Sequence, residues 1–206
     1  MPGWRRLRRG GQLTQPDFSA LRRWPNVPAC YGWLSLDRRG RWRMRGEAVT
    51  HRGLNDFLSR QYTHDEMGNY FVQNGPQRVF VELEYTPWVL HLTSEGGLGT
   101  HIGDTDIEIQ AAVVDDEGNL LLEIPQGIAL LCDRDLPALL LHLQLPDGDA
   151  DGAAHLLAAS EGRGAEQLLL AWQGRRLPVR SLCRSEVPAR YGFVASPQAP
   201  LAGGPR

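Results

Sequence analysis

Apolar and polar positions alternate with period two over Tyr31 to Arg45, where Trp33 is followed by Ser35 and then Arg41-Trp42-Arg43-Met44-Arg45. That spacing predicts two strands of a hairpin, with Trp42 and Met44 turned to a core and the three arginines turned outward together. Four-residue spacing then takes over: Leu54, Phe57, Leu58 and Tyr62 share one helical face, with Thr50 placed as the cap and His64 to Asn69 as the break. Tyr70 to Val72, Val79 to Tyr85 and Trp88 to Leu92 read as three further strands, separated by Asn74-Gly75-Pro76 and Thr86-Pro87.

The second half repeats this rhythm. Strand patterns at Ile107 to Val114, Leu120 to Ile124 and Gly127 to Leu131 precede a helical pattern through Leu136, Leu139, Leu140 and Leu143, capped by Asp133 or Asp135. Pro137 is tolerable in that helix only within its first turn. Residues 146–166 are small, acidic and rich in Gly and Ala, which predicts a loop with a short ordered piece at His155, and 168–182 closes as a hairpin.

Two echoes tie the halves together. Leu34 to Trp42 and Ala112 to Leu120 share a strand, an Asp-x-x-Gly turn and a second strand. Val27-Pro28-Ala29-Cys30-Tyr31-Gly32-Trp33 returns as Val187-Pro188-Ala189-Arg190-Tyr191-Gly192-Phe193. A repeated unit that cannot cover its own apolar face stacks on its sibling, so the expected fold is α+β, with two repeat-related lobes that each comprise an antiparallel sheet and one main helix. The expected organisation is a flexible basic lead-in over 1–26, lobes over 27–95 and 96–195, and a flexible tail over 196–206, with Ser94 to Gly99 as the hinge.

With 206 residues, 42% of them hydrophobic, the chain can bury a substantial core. No apolar run approaches the roughly 20 residues that span a bilayer, and no apolar stretch follows Arg5 to Arg9, so neither membrane insertion nor secretion is expected. Cys30, Cys132 and Cys183 are far apart and form no C-x-x-C pair, which points to the reducing cytoplasm and away from a disulfide framework or zinc ribbon. A net charge of −2 hides an asymmetry of about +9 over residues 1–60 against about −11 beyond them. Such a split suits an anionic partner for the basic part, or attraction between the two lobes.

Candidate chemistry follows from that charge map. Arg41, Arg43 and Arg45, with Arg38 and Arg39 in the turn, form the predicted anion-binding surface, because planar guanidiniums about 7 Å apart suit phosphate or carboxylate groups. His91, His101, Asp104 and Asp106 gather donors around the proposed hinge as a candidate acid/base or metal-assisted site, although their spacing matches no metal motif. Asp147, Asp149 and Asp151 open like a calcium loop, but Ala158 stands where the closing acid belongs, so a solvated loop is expected. No G-x-S-x-G elbow, Walker loop or dinucleotide fingerprint is present, and no cofactor is predicted.

From Gly32 to Leu92 the segments GWLSLDxxGxWxMxG, VTHRGLNDFL, GNYFV and RVFVELEYTPWV, joined more weakly by DRDLPALL and VPARYGFV, resemble uncharacterised proteobacterial proteins of the domain-of-unknown-function kind. The resemblance spans about residues 27 to 195, implies two α+β lobes and a ligand-sensing or signalling role, and carries over no catalytic residue. The expected function is a non-enzymatic binding or regulatory module for an anionic small molecule or protein segment. The alternatives are a metal-assisted hydrolase at the hinge and nucleic-acid binding through the Arg-rich first third, the latter less favoured because Trp33, Trp42 and Phe57 fall on apolar faces.

Overall fold

A computed structural model describes residues 27–148 and 151–199. The first sheet has six strands in the order β3-β2-β1-β6-β5-β4: β1 (Ala29–Leu36), β2 (Trp42–Met44), β3 (Glu47–Ala48), β4 (Tyr62–His64), β5 (Tyr70–Asn74) and β6 (Gln77–Leu83). Helix α1 (Arg52–Arg60) carries the chain back between β3 and β4. The second sheet has eight strands in the order β12-β13-β14-β9-β10-β11-β7-β8. Its members are β7 (Trp88–Leu92), β8 (Leu98–Thr100), β9 (Ala111–Asp115), β10 (Leu120–Ile124), β11 (Gly127–Leu131), β12 (Leu143–Gln144), β13 (Leu169–Trp172) and β14 (Arg175–Leu182). Helices α2 (Leu136–Leu140) and α3 (Gly152–Ser160) precede and follow β12, and α4 (Val187–Tyr191) lies after β14.

The α+β duplication is visible in the strand order itself. Removing β7 and β8 leaves β11-β10-β9-β14-β13-β12, which matches the first sheet strand for strand, with a helix at the same crossing between the third and fourth strands. The sheets are mixed instead of wholly antiparallel, and the helix is the reason. Because the helix returns the chain before the fourth strand begins, the two meanders run with equal parity and meet in parallel, β1 beside β6 and β9 beside β14. The echo at Asp37 and Asp115 keeps its register, since Leu36 pairs with Leu83 while Asp115 and Val114 pair with Leu182 and Ser181.

Several expectations need correction. Ser94 to Gly99 is not a hinge: Ser94 to Gly97 form the turn of the β7–β8 hairpin, closed by Thr93 N–H to Gly97 O at 2.9 Å, and Leu98 and Gly99 already belong to β8. The chain leaves the first sheet at Glu84 to Pro87, so β7 and β8, read as part of the first lobe, are hydrogen-bonded into the second sheet through β11. The heptapeptide echo does not mark equivalent structure either: its first copy starts β1 and its second forms α4. After α4 the chain returns to the first sheet, where Ala195 O accepts from Leu83 N–H at 2.8 Å and Val194 bridges Asn69. The Gly/Ala-rich stretch includes the nine-residue helix α3, and α1 is capped by His51, whose Nδ1 accepts from Leu54 N–H at 3.2 Å, instead of by Thr50. The lead-in over 1–26, the tail beyond 199 and Asp149 lie outside the described residues.

One apolar core runs through both sheets. β1 alternates buried and partly exposed residues, as a one-sided strand should, whereas β9 is buried at all five positions. The second sheet is therefore covered on both faces around β9, β10 and β11, with α3 against β9 and β14. No described helix is long and apolar enough to cross a membrane.

Candidate functional site

Two turns of the same construction face each other where the sheets meet. In the first, Asp37 Oδ1 accepts from Arg39 N–H at 2.9 Å and Arg41 N–H at 3.0 Å, and Gly40 N–H donates to Asp37 O at 2.9 Å. In the second, Asp115 Oδ1 accepts from Glu117 N–H at 3.0 Å and Asn119 N–H at 2.8 Å, and Gly118 N–H donates to Asp115 O at 3.0 Å. Gly40 and Gly118 adopt φ +73° and +77°, the left-handed conformation that completes such a turn. A third copy at Asp65 to Asn69, within the predicted helix break, repeats these bonds with Asp65 Oδ1 accepting from Met67 and Asn69 N–H. Its Asp-x-x-Gly spacing was the available signal.

The first turn is basic and the second is acidic, and they pair. Arg38 hydrogen-bonds Asn119 Oδ1 and lies 3.7 Å from Glu117, which also binds Arg184. Arg38 and Arg184 stand over the Tyr85 ring at 5.5 and 4.6 Å, and the Tyr85 hydroxyl donates to the fully buried Asp115 Oδ2 at 2.6 Å. Burial first, then that bond to Asp115, holds the Tyr85 phenol far above its ordinary pKa, so it remains a donor.

Beside this contact a crevice of about 380 Å³ opens between the sheets. Its polar lining is Arg38, Arg39, Arg41 and Arg43 with Asp37, Glu84, Asp133 and Asn119, over a floor of Leu120, Leu130, Leu131 and Leu136. Four of the five predicted arginines thus line one cavity. They are not a free cationic stripe, because Arg41 Nε and Arg43 Nε donate to Asp37 Oδ2 at 2.8 and 3.2 Å, and Arg39 forms a two-nitrogen contact with Asp133. Arg45 departs from the group and lies over the Trp33 ring at 4.8 Å. Burial pushes the Asp37 carboxyl up, but the Arg41 and Arg39 backbone N–H groups and both guanidiniums outweigh it, so the net shift is downward. Asp133, held mainly by its hydrogen bond from Arg39, is lowered to about 2.

The hinge candidates separate. His101 is enclosed by Trp42, Tyr62 and Trp88, with ring centroids 5.5 to 5.9 Å away, and burial first, then the neighbouring His91, lowers its pKa to about 3. Val89 N–H approaches Nδ1 at 3.4 Å, which puts the proton on Nε2, buried among the rings. Asp104 and Asp106 are exposed, and Asp106 lines a different pocket with Trp172 and Arg175. Among the described residues no ligand-distance group joins His91, His101, Asp104 and Asp106; His91 instead meets Cys132 and Asp135, which sequence spacing could not join. Asp151 caps α3 through Ala154 N–H.

The fold has relatives among solved structures. A crystal structure of a DUF1285 family protein from Silicibacter pomeroyi DSS-3 is similar at TM-score 0.50 with 15% identity, over 82% of this chain and 90% of that one. A DUF1285 family protein from Shewanella baltica OS155 is similar at TM-score 0.39 with 16% identity, over 52% of this chain and 89% of that one. No curated protein matches the chain. The family model DUF2944, described as "Protein of unknown function (DUF2946)", matches residues 17–198, and the chain belongs to that family.

Proposed function

We propose that the protein is a binding module that receives an anionic small molecule in the crevice between its two sheets. The observation that carries this reading is the convergence of Arg38, Arg39, Arg41 and Arg43 on one cavity of about 380 Å³, within the size range of small-molecule sites. An incoming carboxylate or phosphate does not meet spare charge; it competes with an internal acid. Asp133 is the acid to displace, because it is 60% exposed and its partner Arg39 is 41% exposed, whereas Asp37 is 4% exposed and locked by two backbone N–H groups. Exposed ion pairs contribute little, so a bidentate anion replaces Asp133 on Arg39 at small cost. Binding is favoured over catalysis because Asp37 and Asp133 are held ionised and guanidiniums do not deprotonate near neutral pH.

Thermal unfolding with inorganic phosphate, pyrophosphate or citrate, against chloride at matched ionic strength, tests this directly. At least one anion is expected to raise the midpoint in a concentration-dependent manner. Arg39→Gln should remove that rise, and Asp133→Asn should strengthen it. Shifts no larger than chloride's, or a shift that survives Arg39→Gln, would overturn the reading.

A further inference from the structure

We infer that His91, Cys132 and Asp135 form a binding site for a divalent transition-metal ion of the zinc type. Their donor atoms all lie within 4.8 Å of one another, and among the described residues no other set of three or more His, Cys, Asp or Glu side chains comes so close. The fold places them there by strand register. β7 and β11 pair in parallel with Leu90 opposite Leu130's successor Leu131, so His91 and Cys132 emerge side by side at the next position, and Cys132 N–H donates to Leu90 O at 2.9 Å.

Asp135 supplies an independent indication. It occupies the N-cap of α2, yet its side chain makes no cap hydrogen bond. The helix start does not need it, because Leu136 N–H already donates to Cys132 O at 3.2 Å and Ala138 N–H to Asp135 O at 3.1 Å, so the carboxylate is left to other partners. Here Oδ2 instead accepts from Leu92 N–H at 3.2 Å and lies 3.5 Å from His91 Nδ1. Metal–nitrogen and metal–oxygen bonds of about 2.0 Å around a tetrahedron set donor separations of roughly 3.3 Å, so this pair already stands close to ligation distance. Thiolate and carboxylate together neutralise a divalent ion, which is what a partly buried site requires. A sulfur, nitrogen and oxygen set selects zinc or cobalt over calcium or magnesium, which prefer oxygen alone. Three protein donors leave the fourth tetrahedral position to water.

The set shares no residue with the arginine-lined cavity, but the Cys132 thiol donates to Asp133 Oδ1 at 3.5 Å, so the metal is tested without added phosphate, pyrophosphate or citrate.

Titration of the metal-free full chain with Co²⁺ is the test. One equivalent should bind and produce a thiolate-to-cobalt charge-transfer band in the near ultraviolet. Cys132→Ser should abolish the band, and His91→Ala should weaken binding about 100-fold or more, the upper end of what even an outer-shell loss costs. Cys183→Ser, which removes an exposed thiol outside the set, should leave the band intact. No band in the wild type, a band that survives Cys132→Ser, or a band lost in Cys183→Ser would overturn the site. If Cys132→Ser does not fold, the half-exposed His91 decides, and unchanged Co²⁺ affinity in His91→Ala refutes the proposal.

Discussion

The turns at Asp37 and Asp115 are the same object solved twice, and their differences show what duplication preserves. In both, Oδ1 satisfies two backbone N–H groups of the turn, a duty set by the backbone. The second oxygen is free to change partners. At Asp37 it binds the partly exposed guanidiniums of Arg41 and Arg43; at Asp115 it accepts from the Tyr85 hydroxyl at 2.6 Å and Asn119 Nδ2 at 2.7 Å, out of contact with water. The intervening positions diverge in sign, Arg38 and Arg39 against Asp116 and Glu117, and that divergence lets one copy dock on the other through Arg38 and Glu117.

The sharpest way to break this comparison is to delete each carboxylate. Asp115→Ala should cost about 4 kcal/mol, because it strands the buried Tyr85 hydroxyl and takes the acceptor from two part-buried turn N–H groups and Asn119 Nδ2. Asp37→Ala should cost about 2 kcal/mol, since water reaches the guanidiniums it leaves behind. Urea unfolding of the two variants checks the ratio, and equal losses would mean that burial does not distinguish the turns.

The paired glycines come next. An added Cβ at Gly40 would lie 2.5 Å from His101 Cβ and 3.2 Å from His91 Nε2, whereas at Gly118 it would meet nothing within 4 Å. Both substitutions carry the left-handed backbone penalty of about 1 kcal/mol, so Gly118→Ala should cost that alone and Gly40→Ala about 3 kcal/mol in total. Midpoints that coincide would show that the first turn yields where it touches His101 and β7.

These contrasts also show what was legible beforehand. Period-two runs and Asp-x-x-Gly turns located β1, β2, β9 and β10, because both signals are local. The heptapeptide echo misled because secondary structure is not a property of seven residues. Around Cys30 the alternation continues into Leu34 and Leu36 and pairs with β6, while Val187 and Pro188 follow a turn whose Cys183 and Glu186 cap it, and Pro188 sits where a helix accepts proline. Both copies keep a left-handed glycine, Gly32 in the irregular register of β1 and Gly192 at the end of α4. The arginine stripe was readable as residues but not as charge, since its partners Asp133 and Glu117 are 94 and 79 positions away from Arg39 and Arg38. His91, Cys132 and Asp135 were invisible for the same reason: only the parallel pairing of β7 with β11 brings them together.

Acid titration refines the first turn further. The Asp37 carboxyl lies below its unfolded value, so its contribution is complete above about pH 4 and drains away as the pH falls through the depressed folded value. Asp37→Asn should therefore flatten the acid limb of stability against pH, with the largest difference from wild type near neutrality and convergence in acid. An unchanged limb would assign the acid sensitivity to other carboxylates.

The smallest expected effect concerns the contact that crosses the crevice. Arg39 and Asp133 meet at 2.6 Å through exposed side chains, so Arg39→Gln should leave the urea midpoint of the unliganded protein within error, and added salt should make the two proteins still more alike. The deeper pair at Asp37 is shielded by its turn and should respond to salt less than its charge count suggests. A clear loss of stability in Arg39→Gln, screened away by salt, would instead make this pair a clasp between the lobes. An incoming anion would then have to open the clasp before it could bind, and the ligand-dependent rise in thermal midpoint would be correspondingly smaller.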